Sequence, residues 1–227
     1  MLYSEQPLFV LYSFMQKKEK KILQAVIIVL LLLSCQQLHS QRILDITKKY
    51  YRYDPFKSSF SFFVRHLTED AALKEKNISK ITDSTLYFFE GIYKSHSPFA
   101  FKPEKTKVVL AEREQPGDSI AAGKSILLYQ IAGYAPKGSE GERLIQDEFR
   151  KFSRKYKTGF SEVKSRPFEN KNSTSGEICD FLHKDLSFAP VTVAWSSDKG
   201  NTENIFVVTI RFIVVENYAY LPIPIPE

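Results

Sequence analysis

Cys179 and His183 are the two residues whose types and spacing could carry out chemistry. They lie four positions apart in residues 175–186, a segment whose apolar side chains recur at helical spacing. On a helix, this spacing places both side chains on one face. A thiolate beside an imidazole could act as a nucleophile, and the two groups could begin a zinc or copper site. A complete metal site needs further ligands, so we favour a buried cysteine next to a surface histidine.

Other polar residues add little to this candidate site. Asp180 and Asp185 lie close to the pair in sequence and would be the acidic partners of an enzyme. His66, His96 and His183 could converge on a metal, because histidine is the commonest metal ligand. They fall in three separate elements, however, and ordinary exposed histidines explain them. We therefore predict no metal site and no cofactor, and we favour a protein without catalytic activity.

Two surface features could serve binding instead of catalysis. The first is a basic run that could meet an anionic lipid or polysaccharide: Lys151, Arg154, Lys155 and Lys157. The second is a set of aromatic residues, interleaved with Lys48, Lys49 and Arg52, that could rest on a membrane: Tyr50, Tyr51, Tyr53 and Phe56. A solvated helix end explains the first feature, and an N-terminal helix packed onto a sheet explains the second.

Local patterns predict four helical segments. Residues 42–51 place apolar side chains at helical spacing, and residues 68–76 could form a brief helix. The strongest helix begins at Ser139, where Ser139 and Glu142 form a capping-box pair. Residues 175–186 predict a last helix, which would carry Cys179 and His183.

Runs of aromatic and β-branched residues predict the strands. They cover residues 60–67, 81–93, 107–112, 125–134 and 160–165. The chain then forms a hairpin from Val191–Trp195 through a turn at 198–201 to Ile205–Val215. The second arm is apolar on both faces, which is typical of a strand at the centre of a sheet. The elements together predict an α+β fold, an antiparallel sheet with two or three helices packed on it in a single domain.

The stretch from Lys17 to Gln41 indicates where the protein goes. A cluster of four lysines precedes an apolar run, Ile22–Leu33, and small and polar residues follow. This order resembles a bacterial secretory or lipoprotein signal peptide. The apolar run is shorter than the roughly 20 residues that a membrane-spanning helix needs. We therefore expect a cleaved leader over residues 1–40, with Met15 as the true initiator.

Two cleavage sites compete within this leader. The residues Leu32-Leu33-Ser34-Cys35 resemble a lipobox, whose cysteine is acylated and anchors the protein to a membrane. Ser40-Gln41 resembles an ordinary signal-peptidase site, which would release a soluble secreted or periplasmic protein. We favour lipidation of Cys35 slightly, and Cys35 as an ordinary leader residue is the alternative. Residues 42–227 resemble no family.

Removal of the leader leaves 187 residues, enough for one domain with a sizeable core. We place this domain at residues 41–220, followed by a proline-rich tail at 221–227 that should be extended. The remaining 28 basic and 24 acidic residues give a net charge of +4. Because this charge is small and spread along the chain, we do not expect nucleic acid as a partner.

These observations predict an exported protein of the cell envelope. We expect an outer-membrane or periplasmic lipoprotein, held to the membrane through Cys35, that binds an unknown envelope protein or surface component. The alternatives are a hydrolase-like envelope enzyme with an unfamiliar site, and a structural or assembly subunit. Cys179 and His183 are the residues that the enzymatic alternative would need.

Overall fold

The structure is a computed structural model that describes residues 42–81, 86–113, 126–168, 175–198 and 202–221. Within these residues the chain forms three helices and nine strands. The helices are α1 (residues 42–50), α2 (Phe60–Glu69) and α3 (Ser139–Tyr156). The strands are β1 (Leu73–Ile81), β2 (Leu86–Tyr93), β3 (Lys105–Arg113), β4 (Ile126–Ala135), β5 (Glu162–Pro167), β6 (Ser175–Leu182), β7 (Val191–Ser197), β8 (Asn204–Val215) and β9 (Tyr218–Tyr220).

All nine strands join one antiparallel sheet made of two meanders that meet at its centre. The strand order is β1-β2-β3-β4-β8-β7-β6-β5, and β9 pairs with the far end of β8. A helix precedes each meander, α2 before β1 and α3 before β5. The two halves therefore repeat the same order of elements on either side of the β4–β8 pair.

The core lies between the helices and one face of the sheet. Strand β8 supplies the centre of this core. Every second side chain of the strand points towards the helices and is fully buried: Phe206, Val208, Ile210 and Phe212. Tyr51 ties the end of α1 to this layer, since its hydroxyl lies 2.9 Å from the carbonyl oxygen of Tyr129 and 2.7 Å from that of Val208. The prediction that residues 205–215 form a central strand is confirmed.

A buried carboxylate joins α3 to α1. Glu148 on α3 is 2% exposed, and its Oε1 accepts a hydrogen bond from the Tyr50 hydroxyl at 3.0 Å. Its Oε2 accepts from the backbone N–H of Ala100 at 3.0 Å, and Lys49 Nζ lies 3.5 Å from Oε1. Burial, and then the nearby carboxylate, raise the pKa of Tyr50, so this hydroxyl remains a donor at neutral pH. The network fixes the position of α1 on the sheet.

The predicted α+β class is confirmed, although the sheet is larger than the sequence indicated. Helices α1 and α3 and strands β2 to β5, β7 and β8 lie close to the segments predicted for them. Residues 1–41, most of the turn at 198–201 and the tail after Leu221 lie outside the described residues. The leader, Met15 and Cys35 therefore stay predictions.

The strand predicted over residues 60–67 is wrong, because these residues begin α2. Phe63 and Leu67 are buried four positions apart, as one face of a helix requires, whereas Phe62 is 44% exposed. The helix start is held from far along the chain, since Asn217 accepts from the backbone N–H of Phe60 and of Ser61. Aromatic density favoured a strand, and this distant capping contact favours the helix.

The brief helix predicted over residues 68–76 is also wrong. The last turn of α2 ends at Glu69, and β1 begins at Leu73 as an edge strand of the sheet. Glu75 has a φ of 52°, and the pairing with β2 shifts register between Lys74 and Asn77. This bulge, with charged side chains around it, is a common way to protect an exposed sheet edge from pairing with other chains.

The position of α3 is confirmed, but its predicted capping box is wrong. Gly138 occupies the N-cap position, and no side chain caps the helix there. The Glu142 carboxylate instead accepts from Gln146 at 3.2 Å and from the Ser175 hydroxyl at 3.3 Å. The helix start is therefore positioned by packing and backbone contacts.

Candidate functional site

Cys179 lies on a strand, so the helix predicted over residues 175–186 is wrong. Strand β6 pairs with β5 on one side and with β7 on the other. Cys179 and Phe181 both point into the core, with the period of two that a strand gives. Four residues of strand separate two Cα atoms by about 13 Å. The helical spacing that placed Cys179 beside His183 is therefore absent.

The surroundings of Cys179 and His183 are those of packed residues. Cys179 is 1% exposed, and burial raises the pKa of its thiol although hydrogen bonds to Ser165 and Ser153 oppose the shift. His183 is 6% exposed, burial lowers its pKa, and its Nδ1 lies 3.2 Å from the backbone N–H of Asp185. A neutral thiol in the core is a poor nucleophile. The geometry agrees with a buried cysteine, but His183 is buried and not the surface histidine that we expected.

The three histidines singled out in the sequence have separate surroundings. The ring of His66 packs against Phe62, with centroids 4.1 Å apart, and His96 Nε2 lies 3.1 Å from the carbonyl oxygen of Tyr50. His183 follows β6. Within the described parts of the chain, no three His, Cys, Asp or Glu side chains are grouped so that they could hold a metal ion.

The face of the sheet that points away from the helices carries a row of polar side chains. Gln130 donates to Thr209 at 3.0 Å on the neighbouring strand, and Thr192 donates to Asp180 at 2.7 Å. Arg211 donates in turn to the Thr192 hydroxyl. Asp180 and Cys179 are neighbours on β6, so their side chains point to opposite faces of the strand. Asp185 contacts His183, which follows the strand. The two aspartates do not form an acidic pair beside the thiol.

Next to this polar row, small side chains form the floor of a groove. Ala132 on β4 and Ala194 on β7 both pair directly with Val207 on β8. Three adjacent strands therefore carry two alanines and one valine side by side, about 10 Å across. We call the resulting concavity of about 300 Å³ the open-face groove.

Larger side chains form the walls of the open-face groove. Tyr134 and Val109 stand on the side of β3 and β4, Ile205 lies at one end, and Phe168 closes the side of β5. A Cβ atom at Gly176 would lie 2.9 Å from Cβ of Phe168, so the glycine leaves room for this wall. Lys107 borders the groove and pairs with Glu90 at 2.6 Å. The groove is thus mainly apolar with a few polar groups at its rim, which is the usual character of a ligand site.

A second concavity lies between α1 and α2. We call it the basic cleft; it has a volume of about 480 Å³, and its lining includes Lys48, Arg52, Lys57 and His66. Ser58 and Asp54 also line it, so serine, histidine and aspartate share one cleft. Among the described residues no hydrogen bond joins Ser58, His66 and Asp54. The arrangement therefore lacks the geometry of a hydrolase triad.

The aromatic residues before residue 60 do not form a membrane-contacting surface as a set. Tyr50 and Tyr51 are buried in the core, and Tyr53 and Phe56 are partly buried against it. The packing interpretation of these residues is confirmed. The basic run near the end of α3 is different, since Lys151, Arg154 and Lys155 all face solvent.

Comparison of the chain with protein-family models, with curated proteins and with solved structures finds no match. No helix among the described residues has the length and apolar character needed to cross a membrane. The fold and these two concavities are therefore the features of the described residues that bear on function.

Sequence reasoning missed both the open-face groove and the basic cleft. Lys48 and Arg52 were named as part of a surface that could rest on a membrane, and Lys57 and Phe62 were not named. The available signal for the groove was the presence of small residues, Ala132 and Ala194, at strand positions whose neighbours are bulky. The two alanines lie 62 positions apart in sequence, so this signal indicates a site only when the strand register is known.

Proposed function

We propose that this protein is an exported, lipid-anchored binding protein of the cell envelope, and that its open-face groove takes an apolar ligand. The observation that carries the ligand-binding part is the groove itself, with its floor of Ala132, Val207 and Ala194 and its aromatic walls. The export part rests on the leader in residues 17–41.

The position of the groove supports binding over a purely structural role. Core residues of the sheet face the helices, whereas Val109, Ala132, Ile205 and Val207 are partly exposed on the other face. Apolar side chains on an exposed face are stabilised when a ligand or partner removes them from water. The small floor residues leave space for an apolar group to enter between Tyr134 and Phe168.

The enzymatic alternative has weaker support. It depended on Cys179 acting with His183, and the thiol lies in the core, where its raised pKa keeps it protonated. In the basic cleft, the described serine, histidine and aspartate are not hydrogen-bonded to one another. Binding is therefore the function that we propose.

We expect the groove to bind a fluorescent fatty acid, and Ala194→Trp to abolish or strongly weaken that binding. The indole would occupy the floor of the groove without entering the core, because Ala194 lies on the face away from the helices. We expect the dissociation constant to rise at least about tenfold, which corresponds to about 1.4 kcal/mol. Fluorescence titration of the protein measures it.

The matched control is Ala111→Trp, a substitution on the same face of β3 that lies outside the groove. It adds the same side chain, so binding should stay close to that of the unsubstituted protein. Ala132→Trp, on the other side of Val207, is a second variant in case the first does not fold. Equal binding by all these proteins would contradict the groove as the ligand site.

Export and anchoring are tested by the mass of the mature N-terminus from a host that processes the protein. We expect an acylated Cys35 and, in a Cys35→Ser variant, loss of the anchor with the protein released from the membrane fraction. A mature chain that begins at Gln41 would replace anchoring by soluble secretion. An intact leader on a protein in the cytosol would contradict export altogether.

A further inference from the structure

The basic cleft gathers positive charge from three segments of the chain. Lys48 comes from α1, Arg52 and Lys57 come from the connection between α1 and α2, and His66 comes from α2. The Lys57 side chain is well exposed, and that of Arg52 is about half-exposed. Cations brought together in this way repel one another, and a bound anion would relieve the repulsion.

Among the described residues that line the cleft, Asp54 supplies the negative charge. Its side chain is 8% exposed and forms part of the wall. Its Oδ1 accepts from the backbone N–H of Phe56 at 3.0 Å, and its Oδ2 lies 3.9 Å from Lys57 Nζ. Asp70 is paired with Arg52, so Lys48, Arg52 and Lys57 against Asp54 and Asp70 leave one net positive charge at the cleft.

The ion pairs around the cleft orient its cations. Arg52 meets the buried carboxylate of Asp70 through Nε at 3.1 Å, and a hydrogen bond to Tyr53 raises the pKa of its guanidinium. A guanidinium held in this way is ordered before any ligand arrives. Pre-ordering reduces the entropy that binding would otherwise cost.

Aromatic rings form the remaining wall of the cleft. The ring of His66 lies between Phe62, at 4.1 Å between centroids, and Tyr53, at 5.9 Å. The Arg65 guanidinium lies over the outer ring, Phe62, at 5.5 Å from its centroid. A ligand that carries an anionic group next to an apolar or planar part would fit this combination of cations and rings.

We propose that the basic cleft binds a phosphate group carried by a phosphate ester. Phosphate suits the site better than a single carboxylate, because a monoester offers three acceptor oxygens to the three cationic side chains of the lining. Lysine ammonium groups and an arginine fork are the common protein donors to phosphate. The ester could be a small soluble molecule or the headgroup of a phospholipid. This inference is independent of the open-face groove, which lies on the other face of the sheet.

The test uses the full-length chain with Cys35→Ser, so that an acyl anchor does not contribute. We expect glycerol phosphate to shift the NMR signals of His66 and its neighbours in a saturable way, and Lys48→Gln with Lys57→Gln to weaken binding about tenfold. Binding should also weaken as salt is added, since the cations are exposed. Vesicles of phosphatidylcholine, alone or mixed with phosphatidylglycerol, test the lipid source by cosedimentation.

The matched control is Lys102→Gln with Lys137→Gln, which removes the same charge at exposed positions outside the cleft. If the protein binds glycerol phosphate and only the cleft variant weakens this binding, the site is supported and the ligand is a soluble ester. If the protein binds only to the anionic vesicles and only the cleft variant weakens this cosedimentation, the site is supported and the ligand is a lipid headgroup. No binding of either probe, or equal losses in both double variants, would overturn the proposal. Fatty-acid binding by the same samples reports separately on the groove.

Discussion

Replacing Glu148 with alanine is expected to lower the free energy of unfolding by about 3–5 kcal/mol. The substitution removes the acceptor for two buried donors, the Tyr50 hydroxyl and the backbone N–H of Ala100. Each hydrogen bond to a charged group contributes about 1.5–3 kcal/mol, and a donor left unpaired in the core adds a desolvation cost. Lys49 contributes less, because its side chain is more than a third exposed and water can replace the carboxylate.

Chemical denaturation of the two proteins at neutral pH measures this difference. Glu140→Ala is the control, since Glu140 is an exposed residue of the first turn of the same helix and should cost at most a few tenths of a kcal/mol. Glu148→Gln retains the shape of the side chain and one acceptor, so its loss of unfolding free energy should fall between those of Glu148→Ala and Glu140→Ala. If Glu148→Ala were no more destabilising than Glu140→Ala, the network would not hold α1 in place.

The segments predicted correctly are those whose local pattern has a single interpretation. In α3, Ile145, Phe149, Phe152 and Tyr156 are all buried on one face, and their spacing is visible in the sequence. In β8, continuous apolar character over a long run indicated a strand at the centre of the sheet, and the structure places it there between β4 and β7. Such patterns depend on the element itself and on little else.

The segments predicted wrongly are those whose pattern fits two structures. In residues 175–186, Ile178, Phe181 and Leu182 fit a helical face, whereas Cys179 and Phe181 fit the inward face of a strand. Pairing with β5 and β7 stabilises the strand. These partners lie outside residues 175–186, so the pattern within the segment does not reveal them. The proposed Cys179–His183 pair depended on that choice, so it was lost with the helix.

The candidate sites were harder to predict than the fold, because both are assembled from distant residues. The groove floor needs the register of β4, β8 and β7, and a shift of one residue would turn Ala132 and Ala194 towards the core. The basic cleft is more local, because its lining residues all fall between Thr47 and His66. Its inner wall, however, depends on α2 being a helix that presents His66 beside Tyr53.

Replacing Gly141 with alanine is expected to lower the free energy of unfolding by about 2 kcal/mol, although alanine is the better helix former. At an exposed helical position this change would stabilise the helix by about 1 kcal/mol. Here a Cβ atom would lie 1.7 Å from the carbonyl oxygen of Pro136, so the first turn of α3 has to move away from the end of β4. Forced displacement of packed backbone costs about 1–3 kcal/mol and sometimes more. Thermal or chemical denaturation shows directly whether the substitution lowers or raises the free energy of unfolding. Ser139→Ala, on the same turn, is the control.

The mechanism behind the Gly141 effect can be separated from general damage to the helix. Asn204 at the start of β8 donates from Nδ2 to the carbonyl oxygens of Pro136, at 2.7 Å, and Gly138, at 3.0 Å. A Cβ at residue 141 would also lie 2.7 Å from that nitrogen, so both residues act on the same carbonyl. Asn204→Ala and Gly141→Ala should therefore destabilise less in combination than the sum of their separate effects. Simple additivity would mean that Gly141 is needed for some reason other than the close approach of α3 to the β4–α3 connection.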